Sequence, residues 1–490
     1  MARLIIVSNR VAAPGRDAAQ AGGLAVAVRS LLRDNPGIWF GWSGAVADGN
    51  DLAIKTVTRD SITYMVTDLS AEDYQEYYNG FANRVLWPIL HYRLDLAEFS
   101  RRDLSGYRRV NANFAAHLHR LLLPDDVIWV HDYHLIPLAK MLRDRGHAGR
   151  IGFFLHIPLP PPEILTALPN HEWLIPQLSA YDLVGFQTEN DAENFARYLD
   201  RECHLQKIDA TTFQAGERSV RIGVFPIGIE TAEFNRVARR STRSPLVRRV
   251  LDSLAGRAMV IGVDRLDYSK GLPERLDAFE RFLNVYQNWR GKVTYLQITP
   301  KSRSDIQEYA GLERTISTAA GRINGKFGEA DWTPIRYVNR AYSRSALAGL
   351  YRSARAGLVT PLRDGMNLVA KEYVAAQNPE DPGVLILSRF AGAAAEFKTA
   401  LLVNPFDPEV VAMSIAHALS MPVEERRERH AAMFRVISNH TIQSWGRHFL
   451  GTLMQPPSAP SGLANSNSIT PLEMQFPSLP AQSPSSLNDG

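Results

Sequence analysis

Short apolar runs, most of them Val, Ile, Leu and Phe without polar alternation, recur along the chain between longer amphipathic stretches. The runs at Leu4–Ser8, Ile62–Thr67, Val127–His131, Ile151–His156, Asp182–Phe186 and Arg221–Phe225 predict one series of strands. A second series falls at Ala258–Val263, Lys292–Thr299, Pro334–Val338, Ala356–Thr360 and Val384–Leu387. Continuous apolar character is what parallel strands need when helices cover both faces of their sheet. Helical spacing fills the gaps, over Leu24–Arg33, Tyr107–Leu122, Leu135–Arg145, Glu189–Leu199, Pro273–Trp289, Arg303–Ala319, Ser343–Ser353 and Leu368–Gln377. Strand and helix in repeated succession predict doubly wound α/β sheets.

The rhythm breaks near residues 228–250, where Gly228 leads into a polar, Arg-rich segment before a fresh strand. The pattern therefore predicts two Rossmann-like α/β domains, 1–230 and 231–440, facing each other across a cleft. A helix over 441–452 is expected to pack back on the first domain. The tail, 453–490, is rich in Pro, Ser and Asn and nearly uncharged, so disorder is expected there. Ligands of open α/β sheets sit at the carboxyl ends of the strands, so residues just after strands carry the functional weight.

Composition narrows the classes. With 490 residues, 45% hydrophobic and 22% charged, the chain is globular and long enough for two cores. The lone Cys203 excludes an intrachain disulfide and a cysteine-rich zinc site, and it fits a reducing compartment. The first apolar run, Leu4–Val7, is too short for a signal peptide, and no stretch approaches a membrane span. A cytoplasmic protein without membrane contact is expected. The net charge of +4 comes from dispersed Lys and Arg, with doublets such as Arg108-Arg109 and Arg239-Arg240. Such doublets fit solvated helix faces better than a nucleic-acid stripe, and an anion-binding cleft remains open.

Several motifs are missing. No Gly-x-Gly-x-x-Gly follows a strand, and neither Gly-x-Ser-x-Gly nor His-Glu-x-x-His occurs. The segment Gly321–Phe327 fails as a phosphate loop, with one residue too few between its glycines and Phe327 where Ser or Thr would hold magnesium. No Asp-x-Asp is present to hold a cation on a diphosphate, so no metal is expected.

Positive signals cluster after strands. Ser8-Asn9-Arg10 leaves the first strand, and Ala21-Gly22-Gly23 precedes a helix whose N-terminus favours anions. By itself the glycine pair is a weak signal, since a Gly-Gly turn before a helix is more often only a turn. His131-Asp132-Tyr133-His134 ends another strand; one short cluster is a poor metal shell, but Asp132 is placed to bind a hydroxyl or act as a base. His156 closes a strand before a proline-rich turn, fitting either a core histidine or a substrate contact. Arg265 and Lys270 share a strand-to-helix loop, where two cations could neutralise a departing pyrophosphate without a metal. Pro361–Asn367 follows another strand and opens a helix, with Asp364 suited to sugar hydroxyls and Glu372 to a vicinal diol.

At these residues the chain resembles the bacterial trehalose-6-phosphate synthases, retaining glycosyltransferases of family 20. The match runs through Ser8–Arg10, Ala21–Leu24, Trp39–Trp42, Tyr77–Asn79, Val85–Pro88, His131–His134, Arg265–Gly271 and Arg363–Glu372, over roughly Met1 to Gly451. The resemblance implies a GT-B fold, UDP-glucose as donor, glucose 6-phosphate as acceptor, and a role in trehalose biosynthesis and osmoprotection. It also implies no cofactor and a homo-oligomer, dimer or tetramer. By its motifs, Arg10, Tyr78, Asp132 and Arg303 are acceptor contacts. Gly22, Gly23, Arg265, Lys270, Tyr342, Asp364, Leu368, Val369, Ala370, Lys371 and Glu372 are donor contacts. Trp87 and His156 shape the space around the transferred glucose, and with Asp132, Arg265 and Lys270 make up the expected catalytic set. UDP, ADP and GDP are not distinguished by the residues, and an inactive sugar-phosphate sensor stands as the alternative function.

Overall fold

Fifteen strands among the described residues form two sheets, most of their parallel neighbours joined through helices. A computed structural model of the chain describes residues 3–12, 23–34, 37–47, 53–301 and 307–456. The first sheet holds β1 (Leu4–Arg10), β2 (Gly37–Ala47), β3 (Lys55–Arg59), β4 (Ile62–Ser70), β5 (Val127–His131), β6 (Ile151–Phe154), β7 (Leu183–Phe186), β8 (Thr212–Ala215) and β9 (Arg218–Val224). Its order is β3-β4-β2-β1-β5-β6-β7-β9-β8, parallel except for the antiparallel edge strands β3 and β8. The second sheet is wholly parallel, with β10 (Ala258–Val263), β11 (Val293–Ile298), β12 (Ile335–Val338), β13 (Ala356–Val359), β14 (Val384–Ser388) and β15 (Leu401–Val403). Its order, β12-β11-β10-β13-β14-β15, is the doubly wound dinucleotide-fold order.

Both sheets reverse direction of winding beside their first strand, β1 next to β5 and β10 next to β13. A crevice opens at each switch point, and these crevices carry the loops singled out from sequence. The inner strands β1, β5, β6, β7, β10, β11, β13 and β14 are buried on both faces, which explains their unbroken apolar runs.

Four strands escaped the sequence pattern. β2 is interrupted by three glycines, β3 is an exposed polar edge, and β8 and β15 are only four and three residues long. Helices at Thr231–Ser241, Pro245–Asp252, Pro408–Ser420 and Val423–Asn439 were likewise not predicted, and neither was the continuous helical stretch from Ala71 to Leu90. Its middle, Tyr74–Leu86, is wound with wide π-type turns, which break the 3.6-residue period on which helix recognition rests.

The chain crosses from the first sheet to the second through Phe225–Glu230 and returns at His440–Thr441. The helix Ile442–Met454 then lies on the first sheet, with Phe449 stacked 4.3 Å from Trp129 and edge-on to Phe154 and Phe225. Met1–Pro457 form one compact unit; the helix runs two residues past the expected tail boundary at 453, with Leu453 buried, and the predicted tail from 457 onward lies outside the described residues.

Candidate active site

The second sheet supplies two adjoining loops. Asp264–Gly271 follows β10 and Thr360–Asn367 follows β13, and a single buried side chain ties them together. Arg275, on the helix Leu272–Val285 and only 1% exposed, donates to Asp264 Oδ2 (2.6 Å), Thr360 Oγ1 (2.9 Å) and the Lys270 carbonyl (3.1 Å). Burial raises the Asp264 carboxyl pKa, and Arg275 offsets only part of that rise. Gly271 adopts φ +63°, and a Cβ there would stand 2.5 Å from the Thr360 carbonyl oxygen, so the loops can touch only with glycine at this point.

This contact delivers Lys270 to Asp364. The ammonium donates to Asp364 Oδ2 at 2.5 Å, with both side chains largely shielded from water. Asn367 supports the pair: its amide donates to the same oxygen at 3.0 Å, while its Oδ1 accepts the Ala370 N–H and caps the helix Leu368–Ala376. The Ala370 amide is therefore already occupied. Arg265 stands exposed on the rim of the same loop.

Farther along this helix, Glu372 is 22% exposed and 3.8 Å from Arg344. Burial pushes its carboxyl up to about 7, and Arg344 offsets only part of the shift. Tyr342 is half-buried under Arg340, whose guanidinium donates to its hydroxyl at 3.1 and 3.2 Å. Lys371, an expected donor contact, has its ammonium committed elsewhere. Its side chain is fully buried on the side of the helix facing the domain crossing, donating to the Ile227 carbonyl (2.8 Å) and pairing with Glu396 (2.5 Å). A donor molecule in the cleft cannot use that ammonium.

The first sheet faces these loops with its own strand ends. Asp132, directly after β5, holds φ +77°, a costly conformation for a non-glycine residue outside a functional turn. Its Oδ1 accepts the His156 N–H at 3.3 Å. His131 Nδ1 lies 3.0 Å from His156 Nε2, so one ring donates and the other accepts. Burial lowers both pKa values, His156 to about 3, and both rings are neutral at ordinary pH. Among the described residues no group of three His, Cys, Asp or Glu side chains could hold a metal ion.

Trp87 is buried against His91, ring centroids 4.1 Å apart, and against Tyr133. Burial holds His91 at about 4, and the charges of Asp267, Lys270 and Asp364 all reach it. The Trp87 turn thus lies within electrostatic reach of the Lys270–Asp364 ion pair. Gly365 closes the gap elsewhere, since a Cβ on it would fall 2.1 Å from the His156 carbonyl oxygen. Tyr78 packs among Trp42, Tyr74 and His134, and Arg10 is exposed at the end of β1 with its guanidinium over Gly44.

Asp132, His156, Trp87, Lys270 and Asp364 are therefore brought together, with Arg265 at the rim and Tyr342 and Glu372 on the second-sheet side. Gly23 begins the helix Gly23–Asp34. Gly22 and Arg303 lie outside the described residues. Sequence reasoning missed Arg275, Asn367, His91 and the role of His131. Arg275 looks like any helix-surface arginine in sequence, and only its position four residues after Gly271 hints at the loop.

The model of glycosyltransferase family 20 matches residues 7–455. The trehalose-6-phosphate synthase of Sinorhizobium fredii is 54% identical, covering 92% of this chain and 98% of that protein. A trehalose-phosphate synthase (UDP-forming) from Burkholderia xenovorans, solved in complex with glucose 6-phosphate, superposes with TM-score 0.89 at 48% identity, over 92% of this chain and 100% of the other. An Escherichia coli structure bound with UDP-2-fluoro glucose superposes with TM-score 0.88 at 48% identity, over 93% and 99%. These relatives lend no support to an inactive sensor. Sequence motifs, the paired doubly wound sheets and these likenesses agree: the chain belongs to glycosyltransferase family 20.

Proposed function

We propose that the protein transfers glucose from UDP-glucose to glucose 6-phosphate with retention of anomeric configuration, releasing UDP and trehalose 6-phosphate. The observation that carries this reading is the Lys270–Asp364 pair, set by Arg275 at the switch point of the second sheet and facing Asp132 and a neutral His156. The ligands of its relatives support both substrates.

Negative charge grows on the diphosphate as the glucosyl bond breaks. A shielded ammonium stabilises that charge far more than an exposed one. Lys270 has three donor hydrogens, so it can keep Asp364 while turning another donor to the diphosphate. Arg265 adds a planar fork from the rim. Asp364 then accepts from glucose hydroxyls, and Glu372 accepts from the two ribose hydroxyls, a diol common to all ribonucleotides. Leu368 and Val369 offer the open amides at the helix start, and Tyr342 flanks the nucleoside. Gly22 and Gly23 approach the donor with their backbones.

On the acceptor side, Arg10 and Arg303 bind the phosphate, while Tyr78 and Asp132 orient the sugar. The acceptor hydroxyl attacks from the face that the diphosphate leaves, and a diphosphate oxygen receives its proton. His156, neutral and fixed by His131 and Asp132, contributes a hydrogen bond without adding charge, and Trp87 walls the glucose site. The reading also includes cytoplasmic action, which the lone Cys203 supports, a homo-oligomer, a role in osmoprotection, and no cofactor or catalytic metal.

The test is product analysis by NMR after mixing the protein with glucose 6-phosphate and UDP-, ADP- or GDP-glucose. An α,α-1,1-linked disaccharide phosphate formed from UDP-glucose is expected. Absence of product from every donor would sink the reading. Trapping of a glucosyl ester on Asp132 would replace the front-face step with a covalent one.

A further inference from the structure

A recess of about 390 Å³ is lined by loops of both sheets and has Asp364 in its wall. Three cations border it: Arg363, Arg389 and Lys398. Arg363 is held between two aromatic rings, 4.0 Å from the Tyr92 centroid on the first-sheet side and 5.1 Å from Phe390 on the other. Arg389 and Lys398 have exposed side chains and no carboxylate partner among the described residues.

The two acids that border the recess are already engaged. Asp191 accepts the Leu159 N–H at 2.9 Å and the Thr188 hydroxyl at 2.6 Å, and Asp364 is paired with Lys270. Three cations therefore face two acids that are satisfied from behind, which leaves the recess a net attraction for anions. One wall is apolar, built by Phe390 and the exposed Leu402. Guanidinium and ammonium groups beside an apolar wall match a phosphate dianion carried on a small organic body.

We propose that this recess is a second anion site, adjoining the reaction site at Asp364, and that Arg363, Arg389 and Lys398 bind a phosphate group there. Free phosphate and a phosphate monoester share that chemistry; the apolar wall favours the ester. The site involves none of the acceptor contacts and shares only Asp364 with the donor contacts.

Binding of inorganic phosphate and of phenyl phosphate to the full chain would be followed by isothermal calorimetry, with UDP and glucose 6-phosphate held saturating to fill the reaction site. One further site is expected, weakened at least about tenfold in R389A/K398A and retained within about threefold in R389K/K398R. Both positions are exposed, so the fold tolerates these changes. Tighter binding of phenyl phosphate identifies an ester as the occupant, and equal binding identifies free phosphate. Unchanged affinity in R389A/K398A, or no binding of either probe, would overturn the proposal. The readout is binding rather than turnover, so it fails or succeeds separately from the proposed reaction.

Discussion

Burial pushes the Glu372 carboxyl up to about 7, while Arg344, 3.8 Å away, pulls it down. In the unfolded chain the same group loses its proton near its ordinary value of 4.5. The fold therefore keeps a proton that the unfolded chain releases. Its contribution to stability is whole below about pH 4.5 and is lost as pH rises through about 7, a change on the order of 3 kcal/mol at most. Ionised Glu372 is also the better acceptor for ribose hydroxyls. Donor KM should fall as pH rises through 7, and Glu372→Gln should flatten both the KM profile and the stability slope; a profile unchanged by the substitution would remove Glu372 from the donor site. Lys270→Ala should lower kcat by about 10²–10³ while leaving acceptor KM nearly unchanged. A matching rise in acceptor KM would show instead that the loop had collapsed. Lys270 and Asp364 were legible because they stand at strand ends in distinctive company. Arg275 was not, because nothing in a helical sequence marks which arginine turns inward.

The helix Leu368–Ala376 shows how one element serves two tasks. Its N-terminus is proposed above to meet the donor, while Lys371 on its buried side grips the Ile227 carbonyl in the outgoing crossing. Through Glu396 the same ammonium reaches His440 in the returning crossing, 2.6 Å from Glu396 Oε1. The motif match alone assigns Lys371 to the donor, since a motif records which residues co-occur and not which way each one points. Lys371→Met should destabilise the fold by about 3–5 kcal/mol, because Glu396 would lose its buried partner. Adding Glu396→Gln should restore much of that loss in urea unfolding. A double variant as unstable as the single would mean that Lys371 acts through its bond to Ile227 alone. Parallel strands were read correctly from their unbroken apolar runs. The polar edge strand β3, the glycine-broken β2 and the π-wound stretch Tyr74–Leu86 were not, because each departs from the period by which an element is recognised.

The two sheets are not independent bodies. One continuous apolar core runs from Trp39 and Trp129 through Phe225 and Ile227 to Met259, Tyr373, Trp445 and Phe449. The helix Ile442–Met454 is the keystone of that core, and it places Trp445 against the rings of His131 and His156 as well as against Trp129. His156, proposed above to face the transferred sugar, is thus backed by the last helix among the described residues. Phe449 is fully buried and stacked on Trp129, so Phe449→Ala should cost about 3–5 kcal/mol. Because the core is shared, that loss should appear as one cooperative transition at lower temperature rather than as separate melting of one sheet. Trp445→Phe should keep most stability while loosening the support of His156, lowering kcat more than it raises either KM. Calorimetry and steady-state kinetics on the two variants separate these effects. Two resolved transitions in Phe449→Ala would mean that the sheets fold as autonomous domains, and an unchanged kcat in Trp445→Phe would mean that His156 is fixed by His131 and Asp132 alone.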